Sequence, residues 1–512
     1  MLFFKKPIFW IWAFIALHSI LFLFLDLIPF WDLPNHLAEA TIYRYYNVEG
    51  NLFSEYYSLV PWYYPNLFYV WFCNLPFFPT VEWGNTFFFI LYFTLFLTSL
   101  YALIKKLNGN TWFALLGIVF LYGFNTTFGF VGYTISIPVL FWLLYYIISD
   151  IETPGLLNKA VQALLLLAIY TMHAQNAMLG LLVLAGLYLY HHRKNLLQLW
   201  PHVLTGLPVF IVIAIWWVAK SATINSFAQT ADSPENLGQI FLQKNLSQYY
   251  ERFGILVLDN FQLYAGIAGL IVAFILSTLA FAPALANFKA VAKQGFRWLF
   301  TDSRVYLTLF FLINLACYLL LPNHLPGQTP IAHRFGTIVL LSLLAIFSLY
   351  QFKYKASKGL FYAVAVALIY SVLWGHYLIN FNQLNRGFKP ELLSKASSTD
   401  RLSGILFNNN YRGRHLYTHY QNYHITWNKG IASTMAIDYR FGIVRRKVPY
   451  TKLPKHYEWD KKSDKIDQLT ADTDYTVVEY ILLKGNNPKV EPVTNSYTPV
   501  SNYNDWVLLQ KK

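Results

Sequence analysis

The chain has 512 residues, 56% hydrophobic and only 12% charged, with 39 Lys and Arg against 25 Asp and Glu for a formal net charge of +14. Soluble globular proteins carry about 25% charged residues. Half that share, with a mean hydropathy of +0.38, excludes a wholly soluble protein and makes lipid the solvent for most of the sequence. The two cysteines, Cys73 and Cys317, lie in or beside apolar segments and offer neither a disulfide framework nor zinc spacing. The aromatic share of 19% suits many short spans, because Tyr and Trp collect where helices meet the headgroups.

Lys5 and Lys6 precede an apolar stretch from Pro7 to Leu25 that has no small-x-small cleavage site, so it reads as a retained first helix. Lys and Arg in short loops mark the cytoplasmic side. With the N-terminus inside, a long first outer loop runs to about Trp62, and a span over 85–104 returns to Lys105 and Lys106. Residues 111–124 then go out and 133–149 come back. A hairpin over 158–172 and 177–190 ends at His191, His192, Arg193 and Lys194. Residues 203–219, 255–282, 305–321, 337–351 and 359–378 complete the threading, with the basic loops at Lys289–Arg304 and Lys353–Lys358 on the same inner side. Residues 66–79 are apolar but short and punctuated by prolines, which favours a re-entrant or interfacial piece. Residues 1–380 are thus expected to form a polytopic all-α membrane domain of about eleven transmembrane helices.

Beyond Asn380 the chain turns polar, rich in Asn, Tyr and Lys, with apolar alternations at Tyr475–Leu483 and Trp506–Gln510 that read as strands. Residues 381–512 are expected to form a small α/β or α+β soluble domain on the external face. No internal repeat or heptad is present.

Ionisable residues are scarce in the spans, so the chemistry should sit in the outer loops. The first loop contains Asp26, then Asp32-Leu-Pro34-Asn-His36-Leu-Ala-Glu39. Pro34 suits a first helical turn and Asp32 its N-cap, and on that helix Asp32, His36 and Glu39 share a face. Such a group could deprotonate a hydroxyl or hold a divalent cation; equally, it could be an ordinary helix start. His333 and Arg334 stand where a helix re-enters the membrane. There a guanidinium can fork onto a phosphate or snorkel to lipid headgroups. Arg252 invites the same two readings. His173 tops a tight outer hairpin, as a cap or as part of a site. His415, His419 and His424 are spaced loosely among aromatics and read as strand-surface histidines rather than a metal centre.

Taken together, these residues resemble the GT-C superfamily of membrane glycosyltransferases, which draw on polyprenyl-phosphate-linked sugars. Asp32-Leu-Pro-Asn-His36-Leu-Ala is similar to the acid-bearing segment after the first helix of bacterial members. Gly129-Phe-Val-Gly-Tyr-Thr-Ile-Ser-Ile-Pro resembles a turn between later spans, and Arg334-Phe the basic residue facing the lipid phosphate. The resemblance implies Asp32 as catalytic base with Asp26 as its rival. It implies Arg334 on the donor phosphate, and His36 and Glu39 orienting the acceptor or a metal. It further implies an inverting hexosyl- or pentosyltransferase in a bacterial inner membrane, N-terminus cytoplasmic and C-terminal domain periplasmic. Its acceptor would be a glycan, lipid or protein, and nucleic acid would be no partner. No resident cofactor is implied beyond a possible divalent cation, since the acids do not form an Asp-x-Asp pair. A polysaccharide-precursor flippase and a non-catalytic subunit of an envelope complex are the rival readings.

Overall fold

The computed structural model describes residues 3–224, 267–286, 292, 295–322, 330–350, 356–407, 410–412, 414–433, 442–447, 478–485 and 495–512. The chain opens with helix α1 (Pro7–Leu23), which starts on a proline whose missing N–H costs nothing there. Outside it follow α2 (Leu33–Tyr45), the short α3 (Phe53–Tyr56) and α4 (Phe68–Cys73). Helix α5 (Val81–Lys106) is capped by Thr80 and ends on Lys105 and Lys106, where cations complement the helix dipole. After α6 (Phe113–Leu116) and α7 (Phe124–Phe128) come α8 (Val131–Glu152), α9 (Leu156–Met172), α10 (Ala174–His191) and α11 (Trp200–Ile224). The later helices are α12 (Ile267–Ala286), α13 (Arg304–Leu320), α14 (Gly336–Ser348), α15 (Ala356–Leu384) and the short α16 (Pro390–Leu393).

Among the described residues, four helices are long and apolar enough to cross a bilayer: Val81–Lys106, Val131–Glu152, Leu196–Ala219 and Ala356–Leu384. Several other expected spans, Pro7–Leu23 and Arg304–Leu320 among them, are apolar helices of 10–17 residues, and residues 255–266 of the expected 255–282 span lie outside the described residues. The protein is therefore an integral, mostly helical membrane protein, with four of the expected eleven spans qualifying on length and composition.

One expected span is not a continuous helix. Residues 111–124 fold as α6, a 3₁₀ turn over Gly117–Phe120, and the start of α7. Gly117 lies so close to Leu100 that an added Cβ would meet Leu100 Cδ2 at 2.5 Å. The side chains of Phe113–Leu116 and Ile118–Tyr122 are all at 0% exposure. Irregular backbone survives at membrane depth only when protein, not lipid, surrounds it, and this segment is enclosed. His18 of α1 clamps it, bonding Tyr122 Oη at 2.7 Å and Ser371 Oγ of α15 at 3.0 Å.

Within residues 66–79 the only helix is α4, whose six residues reach about 9 Å, far short of the roughly 30 Å hydrocarbon core. It lies flush on α5, where a Cβ on Gly84 would strike the Cys73 backbone at 2.6 Å. Cys73 is buried and Cys317 half-buried, and both are free thiols.

The C-terminal region carries the five-stranded sheet β3-β2-β5-β7-β6, built from β2 (Arg401–Leu406), β3 (Ile431–Ala432), β5 (Tyr480–Lys484), β6 (Tyr497–Tyr503) and β7 (Trp506–Lys511). β2 runs parallel to β3 and β5, while β7 is antiparallel to β5 and β6. β5 and β7 fall on the two alternating stretches named above. A second, two-stranded sheet pairs β1 (Tyr57–Leu59), which follows α3, with β4 (Val444–Arg446). Asn422 Nδ2 donates to Asn35 Oδ1 of α2 at 2.5 Å, so the sheet region is stitched directly onto the loop that holds Asp32.

Candidate functional site

Asp32 occupies the N-cap position of α2, yet its side chain makes no capping hydrogen bond. The carboxylate turns instead toward the C-terminal region, with Oδ1 3.4 Å from Nε2 of the buried His419. Its backbone is held from the other side. Trp31 N donates to Thr127 O (3.1 Å) and Asp32 N to Phe128 O (2.9 Å). Gly129, at φ +88°, ends α7 in the left-handed region, and a Cβ there would sit 2.7 Å from Asp32 N. The turn after α7 is thus the seat of Asp32, and only glycine fits its closest point.

Arg334 lies on a 3₁₀ turn, Ala332–Phe335, directly before α14 and is buried. Its guanidinium carbon is 4.0 Å from the centre of the Phe130 ring and 5.8 Å from that of Tyr133. Nη1 donates to His173 Nε2 at 3.1 Å, which puts the imidazole proton on Nδ1. Burial first, and then the Arg334 charge, hold His173 neutral, well below the usual range for a histidine. A Cβ on Gly132 would meet Met172 O at 2.2 Å. That close approach brings the end of α9 against the start of α8 and sets the His173 ring 5.0 Å from Tyr133. Asn125 Nδ2 donates to Arg334 O at 2.9 Å.

Three polar atoms of this cluster, Arg334 Nε, His173 Nδ1 and Tyr133 Oη, are buried with no hydrogen-bond partner among the described residues. No carboxylate lies within ion-pair distance of Arg334 among the described residues. Asp32 acts on it over a longer distance. A buried guanidinium without a paired anion is costly, and stacking on aromatic faces returns only part of that cost. A cation with unspent donors beside it is suited to take a phosphate.

The remaining predicted residues divide. His36 Nδ1 and Glu39 Oε2 are 3.4 Å apart, with Glu39 buried and His36 edge-on to Tyr69. Among the described residues the Asp32 side chain bonds neither of them, so the expected three-residue face is a pair, and the Asp32 carboxylate looks elsewhere because the α7 turn fixes its backbone. Asp26 is exposed and lines a separate small cleft of about 50 Å³ together with Glu82. His333 is half-buried, edge-on to Phe124. Arg252 lies outside the described residues.

The expected strand-surface histidines are not on strands. His419 ends a buried turn and His424 opens a π-helical turn, His424–Asn428. His424 bonds Asp400 O at 3.0 Å and Asn428 Nδ2 at 3.1 Å. His415 is half-buried beside Trp31, 5.8 Å between ring centres. Among the described residues no group of three or more His, Cys, Asp or Glu is arranged to hold a metal ion. Sequence reasoning assigned no role to Tyr133, Phe130 or Glu82. The first two were legible only as members of the segment beginning at Gly129.

No family profile and no curated protein sequence matches the chain. Among solved structures it is similar to ArnT from Cupriavidus metallidurans in the apo state, with a TM-score of 0.56 at 12% identity, covering 98% of this chain and 97% of that one. So distant an identity speaks to fold alone, and the coverage extends that likeness through both the helices and the sheet region. The chain accordingly has the fold of ArnT.

Proposed function

We propose that this protein is an inverting glycosyltransferase that moves a sugar from a polyprenyl-phosphate donor to a glycan, lipid or protein acceptor at the outer face of the membrane. The observation that carries the reading is the buried Arg334, without a carboxylate partner, caged by His173, Tyr133 and Phe130 and within electrostatic reach of Asp32. In this reading residues 1–380 form the membrane domain and residues 381–512 an external domain, with the N-terminus cytoplasmic and the membrane a bacterial inner one. The ArnT-like fold supports the reaction class.

The Asp32 carboxylate, oriented by His419, takes the proton of the acceptor hydroxyl. The freed oxygen pair forms a bond to the anomeric carbon as the bond from that carbon to the phosphate oxygen breaks on the opposite face. The electron pair leaves on the phosphate, and configuration inverts. Negative charge grows on the leaving oxygens, where Arg334 and the unpartnered donors of His173 and Tyr133 stabilise it. His36 and Glu39 contact the acceptor.

Incubating purified protein with a panel of polyprenyl-phosphate sugars and an acceptor mixture should release polyprenyl phosphate. A panel that is bound but never cleaved, at any acceptor concentration, would overturn the reading.

A further inference from the structure

Two adjoining clefts open beside α2, on the face that carries Leu33, Leu37, Thr41 and Tyr45, and none of the residues lining them belongs to the Asp32–Arg334 cluster. Their volumes are about 220 and 50 Å³, and they share two side chains, Glu82 and Trp427. Small-molecule sites combine aromatic walls with a few well-placed polar groups. Both halves of that description hold here.

The walls come from Tyr45 on α2 and Trp427 on the π-helical turn. A π-turn is uncommon and tends to mark functional positions. This one ends on Lys429 at φ +61°, a left-handed conformation that costs a non-glycine residue free energy. Together they turn Trp427 and Lys429 into the cleft. Lys429 Nζ donates to Thr426 O (2.7 Å) and Trp427 O (3.2 Å) and lies 5.0 Å from the centre of the Tyr45 ring, which leaves one N–H free for a ligand. Glu82, between the clefts, makes no side-chain hydrogen bond or ion pair among the described residues, although it faces the Lys429 charge. An acceptor-only group and an unspent donor therefore line one aromatic-walled groove.

We infer that the larger cleft binds a neutral sugar unit of the acceptor's glycan. A sugar ring offers an apolar C–H face to Trp427 and Tyr45. Its vicinal hydroxyls donate to Glu82 and accept from Lys429. Leu33, the residue after Asp32, lines the smaller cleft beside it, so the bound sugar lies on the face of α2 that begins next to the base. This assignment rests on the glycosyltransferase reading for its role, though not for the binding itself.

The test is saturation-transfer NMR on the full-length purified protein with free neutral oligosaccharides of two to four units. Wild type should give saturable binding, and Glu82→Gln and Trp427→Ala should each raise Kd at least tenfold. Because Trp427 also packs on Phe388 and Tyr423, Glu82→Gln, a smaller change on a partly exposed residue, keeps the test independent of folding. An absence of binding by any oligosaccharide, or wild-type affinity in Glu82→Gln, overturns the inference. Lost binding in both variants, with no polyprenyl phosphate released by wild type, sustains the glycan site and removes only the transferase reading.

Discussion

Replacing Arg334 by lysine keeps the positive charge and changes only its shape. A lysine that lay along the Phe130 face could retain a cation–π contact, and a snorkelling arginine would tolerate the exchange. The environment of Arg334 argues that the shape is what matters. Nη1 is spent on His173 at 3.1 Å, Nε is buried and unpartnered, and the guanidinium plane is held 4.0 Å from the Phe130 ring centre. An ammonium is a point charge that cannot present two parallel N–H bonds to a phosphate while also bonding His173. The lysine variant therefore loses at least one charge-assisted hydrogen bond, about 1.5–3 kcal/mol, or roughly ten- to a hundredfold in rate. The assay is release of polyprenyl phosphate from a fixed donor, with membrane insertion and thermal stability of the variant measured in parallel. Arg334→Lys should fall at least tenfold in kcat/KM for the donor, and Arg334→Ala further. Wild-type donor kinetics in a normally inserted lysine variant would refute forked phosphate binding at this residue.

Asp32→Asn should abolish turnover while leaving the melting temperature nearly unchanged, because the aspartate side chain makes no capping bond to lose. An active asparagine variant would transfer the base role to Asp26. Gly129→Ala should lower stability by more than the roughly 1–2 kcal/mol of a left-handed residue, since the new Cβ would also sit 2.7 Å from Asp32 N, and it should lower activity by shifting Asp32; a melt and a rate identical to wild type would show that the turn is not the seat. His424 gives a pH signature: burial above all lowers its pKa to about 4 from 6.5. As pH falls from 6.5 toward 4 the unfolded chain binds a proton that the folded one refuses, so stability is fully present above pH 6.5 and declines below it by up to about 3 kcal/mol. Melts of wild type and His424→Asn across that range should show a steeper acid loss in wild type, and parallel curves would count against it.

What the sequence determined by itself was everything set by local periodicity and by the solvent each segment needs. Apolar runs bounded by Lys105 and Lys106, or by His191 to Lys194, have to be helices in lipid, because a backbone in hydrocarbon must satisfy its own hydrogen bonds. The alternations that became β5 and β7 were legible because a half-buried strand repeats every two residues. The Asp32 segment, the Gly129 turn and the Arg334 entry could be singled out as short strings of unusual residues. How they meet was decided by the tertiary structure. Asp32 faces His419, 387 positions later, rather than its helical neighbour His36, because the α7 turn fixes its backbone and the C-terminal region covers α2. Arg334 found His173 through the contact of Gly132 with Met172, which no spacing in the chain announces. Residues 111–124 carried the hydropathy of a span, but burial on every side released them from the need to be one helix. His419 and His424, placed among alternating aromatics, suggested strand surfaces, yet packing against α2 and Asp400 wound them into buried turns. Periodicity reports the solvent a segment faces on average, whereas a site is made by pairs of residues far apart in the chain, and only the packed structure selects those pairs.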